Sequence, residues 1–258
     1  MNLHVDLNAD LGEGAGHDRE LLKLVSSASI ACGFHAGDAD TMHETISTAR
    51  EEGAAVGAHP SLFDRENFGR KQLSVTPAEV FDAVTYQLGV FQAIANDIGV
   101  RPNHVKPHGA LYNMATHDEK LAEAIACAIV TVDLSLVLFA PDKSALARAG
   151  EAAHLRVARE VFADRNYLAD GSLVPRNRPG ALMHDPKESA ERVMRMLREG
   201  RVRSIDNVDV EVRAETVCVH GDTPGSEEFA RVLRAHLEKQ GVTIRAPKYP
   251  ERSERAKQ

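Results

Sequence analysis

Polar and apolar residues alternate over residues 4–11, near the start of the chain. This period of two predicts a β-strand whose two faces differ in polarity. The polar face carries Asp6, Asn8 and Asp10, and the apolar face carries Val5, Leu7, Ala9 and Leu11. A strand with one face in solvent would tolerate this pattern. In a parallel sheet covered on both sides, the buried carboxylates would need partners, and Lys106 could serve as one.

Short strand-like runs alternate with amphipathic helical stretches along the whole chain. The candidate strands are LHVDLNA, ASIACGF, AAVGAHP, NHVKPHG, LSLVLFAP, LRVAREVFAD and TVCVHGD. The helical patterns lie near residues 17–26, 39–52, 77–98, 118–132, 143–153, 186–199 and 226–240. Two of these helices have a recognisable start, because Thr76 and Asp185 each precede a proline and lie three residues before a glutamate.

Seven units of a strand followed by a helix predict an α/β fold with parallel strands and right-handed crossovers. A closed barrel and an open doubly wound sheet both satisfy this order, and the chain length and uniform alternation favour the barrel. Residues 201–213 alternate in polarity and are interpreted as a surface hairpin or an extra strand. Without a linker-like segment, residues 1–248 are predicted to form a single domain, followed by a loose tail at 249–258.

The composition narrows the class of protein. The chain of 258 residues is 43% hydrophobic and 27% charged, and its formal net charge of −7 argues against nucleic acid or an anionic membrane as a partner. Cys32, Cys127 and Cys218 lie far apart and fit neither a disulfide framework nor a zinc motif. We recognise no signal peptide and no apolar run of membrane-spanning length, which predicts a cytoplasmic protein in a reducing compartment.

Nearly every candidate strand ends in side chains that can take part in chemistry. In chain order these are Asp10 and Glu13, His35 and Asp38, His59, Lys106 and His108, Glu160 and Asp164, and His220 and Asp222. Parallel strands place their carboxyl ends on one rim of a barrel, where barrel enzymes build their active sites. A single histidine is more often a satisfied core residue, but four at equivalent positions argue for one shared polar site. Asp6 is interpreted as a structural member of that site, with Asn8 and Asp10 nearer the ligand.

Motifs for nucleotides and for serine nucleophiles are weak or missing. The segment GEGAG at residues 12–16 follows a strand but lacks the spacing G-x-G-x-x-G, and neither a P-loop nor G-x-S-x-G occurs. A tight active-site loop is therefore the preferred interpretation of residues 12–16. A long loop over residues 162–181 contains Arg165, Arg176 and Arg178, which suit carboxylate or phosphate recognition and equally suit a solvated surface.

Metal motifs are also missing from the sequence. No helical pair of histidines and no cysteine cluster marks a zinc site. Asp10, His35 and His59 together could hold a divalent ion, because mixed imidazole and carboxylate ligands suit several metals. On these motifs alone we predict no metal site.

The segments that carry these residues resemble the LamB/YcsF family, whose characterised members are A subunits of bacterial ATP-dependent 5-oxoprolinase. The matching segments run in order from residue 6 to 222 and are DLNADLGEG, ACGFHAGD, GAHPSLFDRENFGR, HVKPHGALYN, EVFADRNY with GSLVPR and PGA, and VCVHGD. The resemblance implies a seven-stranded β/α barrel of the TIM-barrel type, related to the glycoside hydrolase/deacetylase superfamily. It also implies cleavage of 5-oxo-L-proline to L-glutamate with hydrolysis of ATP, in a complex with subunits B and C.

The implied reaction explains the need for ATP. A five-membered lactam is a poor electrophile and its nitrogen is a poor leaving group, whereas phosphorylation of the amide oxygen would create an activated imidate-type intermediate. Because the chain has no recognisable nucleotide loop, we hypothesise that ATP, with Mg²⁺, is bound mainly by the partner subunits, which perform or share the phosphorylation. This chain would then supply the ring-opening site.

Roles for the strand-end residues follow from this hypothesis. Asp10 or His59 would act as the general base on water. Lys106 and His108 would stabilise the developing negative charge. His35 or His220 would protonate the departing nitrogen. The residues predicted to bind the substrate are Asp6, Asn8, Glu13, Glu160, Arg165, His220 and Asp222. In the related polysaccharide deacetylases an Asp and two histidines bind a metal, and the resemblance matches only Asp10 to that set.

Two other functions satisfy the same sequence. One is a metal-dependent amidohydrolase or deacetylase that acts alone, which predicts chelator-sensitive turnover without ATP. The other is a non-catalytic subunit that presents 5-oxoproline or a sugar-like ligand to its partners. That alternative predicts ligand binding that survives removal of Asp10 and His59.

Overall fold

Seven parallel strands close into a barrel in the computed structural model, which describes residues 3–220 and 225–248. The strands in chain order are β1 (His4–Leu11), β2 (Ser27–Ala31), β3 (Ala55–His59), β4 (His104–Val105), β5 (Val137–Pro141), β6 (Arg156–Phe162), β7 (Arg201–Arg203), β8 (Asp209–Glu211), β9 (Thr216–His220) and β10 (Thr243–Ile244). Strands β1 to β6 pair in sequence order, and β9 pairs with both β6 and β1, which closes the ring. The predicted α/β fold is confirmed, and so is the barrel that was favoured over an open sheet.

Helices connect the strands and pack against one another around the barrel. They are α1 (Asp18–Leu22), α2 (Ala39–Glu52), α3 (Pro77–Ile98), α4 (Gly109–Ala115), α5 (Glu119–Asp133), α6 (Ala145–Ala152), α7 (Pro186–Glu199) and α8 (Ser226–Lys239). The N-cap predicted at Thr76 is present as a full capping box with Glu79, and Asp185 caps α7 by accepting two backbone N–H bonds. Over residues 3–220 and 225–248, no helix has both the length and the apolar character needed to cross a bilayer.

Three local features differ from the sequence prediction or refine it. Helix α4 was not predicted, because the predicted strand ran on to Gly109 and residues 110–117 were assigned to no element. Strand β10 was also not predicted, and it adds two residues in parallel to the start of β1. Residues 201–213 form the antiparallel hairpin β7–β8, which was one of the two interpretations of this segment. Asp222 and the predicted tail at 249–258 lie outside the described residues.

The polar row of β1 points into the barrel. Along this strand every residue after His4 is buried, so the alternative of a face in solvent is wrong. The apolar face, which includes Leu7 and Leu11, belongs to the main hydrophobic core. The opposite face fills the barrel with hydrogen-bonding side chains together with residues of other strands, namely Asn8, Ser29, His104, Lys106, Glu160 and Thr216. Much of the interior of this barrel is therefore polar, although Phe139, which stacks on His104, forms a small apolar cluster with Val137 and Ala158.

The register of the strands gathers the predicted site. Asp10 of β1 is paired with His220 of β9 and with Ser29 of β2. His59 is the last residue of β3 and lies beside Ala31 of β2. Because all seven barrel strands run in the same direction, these positions lie on one rim of the barrel.

Candidate active site

Lys106 lies at the centre of the buried cluster at this rim. Its ammonium group lies 2.7 Å from Asp10 Oδ1, 3.0 Å from Asn8 Oδ1, 3.1 Å from Glu160 Oε1 and 3.0 Å from Cys218 Sγ. Burial alone would lower the Lys106 pKa, but the nearby carboxylates outweigh burial and hold it well above its usual value. Lys106 is therefore a charged, fully engaged group that joins strands β1, β6 and β9 to the end of β4.

A second layer of hydrogen bonds lies deeper in the barrel, around Glu160. Tyr112 donates its hydroxyl to Glu160 Oε2 over 2.6 Å, and the Asn8 amide donates to Glu160 Oε1 over 3.1 Å. The Asn8 amide also donates to Thr216 Oγ1 over 2.7 Å. These bonds fix both Glu160 oxygens and the orientation of the Asn8 side chain, whose oxygen then faces Lys106.

Asp6 lies deepest in this network. Its carboxylate accepts hydrogen bonds from Ser26, Ser27 and Thr216, over 2.6, 2.8 and 2.6 Å respectively. Burial raises the Asp6 pKa to about 6, and the three hydroxyl donors offset only part of that effect. Because these three hydroxyl donors belong to residues of the barrel wall, we interpret Asp6 as a structural residue.

Three histidines and Glu13 form a compact group next to Asp10. His35 Nε2 lies 3.0 Å from Glu13 Oε1, and His108 Nδ1 lies 3.2 Å from the same oxygen. The His59 and His108 rings meet almost at right angles, with His59 Nε2 2.9 Å from His108 Nδ1. His59 Nε2 also lies 3.4 Å from Asp10 Oδ2. The group thus brings together residues at or just after the ends of β1, β2, β3 and β4.

Charges within the cluster shift its pKa values in opposite directions. Burial would raise the Asp10 pKa, but the positive charges of His59 and Lys106 outweigh it and hold this pKa well below 3.8. Asp10 in turn raises the His59 pKa despite the burial of that ring. Burial lowers the His35 pKa to about 4, and it also lowers the His108 pKa. Burial would raise the Glu13 pKa, but interactions with the neighbouring His108 and His35 rings outweigh it and hold this pKa below its usual range.

Gly69 allows the backbone to pass directly over the histidines. It has a φ of +63°, and a Cβ at this position would lie 2.8 Å from His35 Cβ and 2.9 Å from His108 Cδ2. The preceding residue, Phe68, accepts the hydrogen bond from His108 Nε2 with its carbonyl. The segment FGR, at residues 68–70, thus covers the imidazole group from above.

On the other side of the rim, His220 borders a cavity. Its Nδ1 donates to Asp164 over 2.8 Å, and a cavity of about 240 Å³ beside this pair is lined also by Met183, Val219 and Phe229. Burial would raise the Asp164 pKa, but the charge of His220 outweighs it and the pKa lies below its ordinary value. A His220 ring nitrogen also lies within 4.8 Å of the Asp10 carboxylate, so the cavity adjoins the charged cluster.

Most of the predicted site residues come together in this region. The structure groups Asn8, Asp10, Glu13, His35, His59, Lys106, His108, Glu160 and His220. Asp6 lies below them, and Arg165 donates to the Val174 carbonyl and thereby supports its own loop. Asp38 is exposed and caps α2. Asp222 lies outside the described residues.

Tyr112 and Cys218 belong to the cluster but were not predicted as site residues. Each had a signal in the sequence. Thr216, Cys218 and His220 alternate along one strand and therefore share a face. Tyr112 follows His108 by four residues, the spacing that places two side chains on one face of a helix. That signal required the short helix α4 to be recognised first.

Two groups of side chains in the described ranges have the donor atoms for a metal ion. The first consists of Glu13, His35, His59 and His108, and the second of Asp10, Cys218 and His220. Within each group the donor atoms lie within 4.8 Å of one another. The sequence suggested Asp10, His35 and His59 as one possible set, whereas the structure places Glu13 and His108 with the two histidines.

The fold and the site define a parallel β/α-barrel protein with a buried cluster of acids and bases at its strand ends. The chain belongs to the LamB/YcsF family, whose sequence profile matches residues 5–252. It is 50% identical over 247 residues to a protein of Shouchella clausii that is named as the A subunit of 5-oxoprolinase, covering 94% of this chain and 98% of that protein. A protein of Rhodopseudomonas palustris (strain BisA53) with the same name is 50% identical over 246 residues, covering 93% and 96%.

A solved structure agrees with these relatives. The crystal structure of a lactam utilization protein from Thermus thermophilus is similar to this chain with a TM-score of 0.90 and 44% sequence identity. The similarity covers 95% of this chain and 100% of that protein. The closed barrel is thus shared over nearly the full length of both chains.

Proposed function

We propose that this chain is the A subunit of an ATP-dependent 5-oxoprolinase and supplies the site where the lactam ring is opened. The names of the relatives support this function, and so does the membership of the LamB/YcsF family. The main structural support for the proposal is the ion pair between Asp10 and Lys106 at the barrel rim, beside the cavity that His220 lines. That pairing holds a carboxylate in its ionised form within 4.8 Å of a ring nitrogen of His220, which lines the cavity.

Asp10 is the proposed general base. Lys106 engages Oδ1, which leaves Oδ2 directed toward His59 and the rim. The low pKa of this carboxylate keeps it ionised at neutral pH, so that it can accept a hydrogen bond from the attacking water and take its proton as the new bond to carbon forms. Of the two bases predicted from the sequence, Asp10 is preferred because His59 Nε2 already faces two other side chains, His108 and Glu13.

His220 is the proposed general acid. Asp164 accepts the Nδ1 proton and thereby fixes the ring, so that Nε2 is the nitrogen that can exchange a proton with the departing ring nitrogen. His220 borders the cavity, whereas the His35 side chain is fully buried against Glu13. Between the two acids predicted from the sequence, His220 is therefore preferred.

Lys106 is proposed to position Asp10 rather than to contact the substrate. An ammonium group has three hydrogens, and four acceptors already lie within 3.1 Å of it. The side chain is only 3% exposed. Its contribution to the reaction is to keep the Asp10 carboxylate ionised and to hold it in one orientation.

Activation of the lactam is assigned to partner subunits, B and C. Transfer of the γ-phosphoryl group of ATP to the amide oxygen would give the imidate-type intermediate. Attack of one water on that carbon and breakage of the carbon–nitrogen bond would then give an acyl phosphate with a free amine. A second water would release phosphate from it and leave L-glutamate. This division fits a chain in which neither a P-loop nor another nucleotide motif is recognisable.

The test is an assay for glutamate release from 5-oxoproline, with this chain alone and with its B and C subunits, each with and without ATP. We expect turnover only in the full mixture with ATP. Asp10→Asn should lower kcat by roughly 10²- to 10⁴-fold. Asp38→Asn is the matched control, because it removes an exposed carboxylate from the same rim and should leave kcat unchanged.

Two outcomes would contradict the proposal. Turnover of an amide by this chain alone, without ATP, would identify the stand-alone amidohydrolase instead. Full activity of Asp10→Asn in the assembled complex would show that this chain binds the substrate without catalysing ring opening.

A further inference from the structure

The hydrogen bonds of His59 and His108 fix which nitrogen of each ring carries a proton. His59 Nδ1 lies 2.6 Å from the Lys106 carbonyl, and His108 Nε2 lies 2.9 Å from the Phe68 carbonyl. A carbonyl oxygen can only accept, so both of these ring nitrogens are donors. The other two nitrogens, His59 Nε2 and His108 Nδ1, point at each other over 2.9 Å. In the neutral rings each carries a lone pair, so two acceptors face one another.

Glu13 adds a third acceptor to the same point. Its Oε1 lies 3.2 Å from His108 Nδ1 and 3.8 Å from His59 Nε2. Three acceptor atoms that converge in this way repel one another unless a positive charge lies among them. Ligands at about 2.05 Å around a tetrahedral zinc ion are themselves about 3.3 Å apart. The three distances observed here, from 2.9 to 3.8 Å, bracket that value.

His35 completes the surroundings of this point without being a ligand. Its ring is stacked on His108 with centroids 3.8 Å apart and planes within 6° of parallel, so one ion cannot lie in the plane of both rings. His35 Nε2 instead donates to Glu13 Oε1 over 3.0 Å. Carbonyl groups orient the two ligand histidines and His35 orients the carboxylate, which is the kind of support that metal ligands usually have.

We propose that Glu13, His59 and His108 bind one divalent transition metal ion, such as Zn²⁺. The proposal does not depend on the proposed function, because the ligands and their supporting hydrogen bonds are sufficient to define the site. Two imidazoles and one carboxylate leave a further coordination position open, as in catalytic rather than structural zinc sites. An ion bound there would supply a Lewis acid next to Asp10, whose Oδ2 is 3.4 Å from His59 Nε2.

The second group of donors is a poorer site for the same ion. The ammonium of Lys106 lies 3.0 Å from Cys218 Sγ and 2.7 Å from Asp10 Oδ1, so a positive charge already contacts two of its three donors. The sequence did not predict the Glu13 site because its ligands lie at or just after the ends of three different strands and share no motif. Glu13, His59 and His108 come together only in the folded barrel.

The experiment measures metal binding directly, on the full chain. After treatment with a chelator and its removal, the protein is titrated with Co²⁺ while the visible absorption of the bound ion is followed. Metal content after exposure to Zn²⁺ and gel filtration is then measured by mass spectrometry. The variants are Glu13→Gln, His59→Gln, His108→Gln and His35→Asn, with circular dichroism as the check that each is folded. His220→Gln is the matched control, since it removes a histidine from the second group.

We expect one equivalent of metal per wild-type chain, and loss of binding in the variants of the three ligands. His35→Asn should weaken Co²⁺ affinity by about 10- to 100-fold, the effect of losing a residue that orients a ligand. His220→Gln should bind as the wild type does. Failure of the wild-type chain to retain Co²⁺ or Zn²⁺ would overturn the proposal and leave a single proton as the charge among the three acceptors. Loss of binding in His220→Gln alone would overturn it as well, in favour of the second group.

Discussion

Replacement of Lys106 by methionine tests the electrostatic core of the site. Methionine has a similar length and can lie in the same space, but it cannot donate a hydrogen bond. The substitution leaves the Asp10 and Glu160 carboxylates buried without their shared cation, at 8% and 2% exposure. It also removes donors to Asn8 and Cys218. Tyr112 and Asn8 still donate to Glu160, whereas the Asp10 carboxylate retains its 3.4 Å contact with His59.

The expected loss in the free energy of unfolding is about 3–5 kcal/mol at pH 7, the usual cost of removing one partner from a buried ion pair. The loss should depend on pH. In the wild-type chain the Asp10 pKa lies below 3.8, so its contribution to stability is present above about pH 4 and disappears as pH falls through the folded-state pKa. Without Lys106 this pKa rises, and the difference between wild type and variant should narrow as pH falls toward 4.

The assay is urea unfolding followed by circular dichroism at pH 7 and pH 4. Lys120→Met is the matched control, because Lys120 is exposed on α5 and its loss should change stability by less than about 0.5 kcal/mol. Adding Asp10→Asn to Lys106→Met should recover part of the loss, since it removes the unpaired charge. If Lys106→Met unfolds within about 1 kcal/mol of the wild type, or if its loss grows at acid pH, the reasoning about this ion pair is wrong.

Three further substitutions test other parts of the barrel. Gly57→Ala should destabilise the fold by about 1–3 kcal/mol in urea unfolding, because its Cβ would overlap the buried His104 ring; a neutral result would contradict this packing. Tyr112→Phe should cost about 1.5–3 kcal/mol in the same assay, since it removes a buried donor to a carboxylate, and a smaller loss would mean that the bond is replaced. Asp6→Asn tests a titration. With its pKa raised from 3.8 to about 6, Asp6 binds a proton more tightly in the folded chain, so stability should fall by about 2 kcal/mol as pH rises from 4 to 6. The Asn variant should lack this fall, and an unchanged slope would refute the assignment.

The position of the site could be predicted from the sequence, whereas its internal chemistry could not. The alternation of β1 and the polar residues after each strand were sufficient to place Asp10, His59 and Lys106 at one rim. Chain length favoured a closed barrel, in which β9 pairs with β1, over an open sheet. The resemblance to a family was needed to decide between these two folds. Residue spacing alone does not distinguish a closed ring from an open sheet.

The details that could not be predicted depend on contacts between distant segments. Strand β10 has only two residues, too few to show a period of two. The tautomers of His59 and His108 are set by carbonyl groups 47 and 40 residues away in the chain. For the same reason, the sequence assigned Glu13 to substrate binding, while the structure places it among the imidazoles. Local patterns carry no information about which backbone carbonyl meets which ring.

The pairing of β1 with β9 also has a consequence for synthesis of the chain. The two strands are separated by more than two hundred residues, so the first strand emerges from the ribosome long before its neighbour exists. Until then β1 and β6 expose unpaired edges, and the buried carboxylates and ammonium of the rim lack their final partners. A nascent chain stalled before residue 216 should therefore need the help of a chaperone, and circular permutants that bring β9 next to β1 in sequence should fold faster.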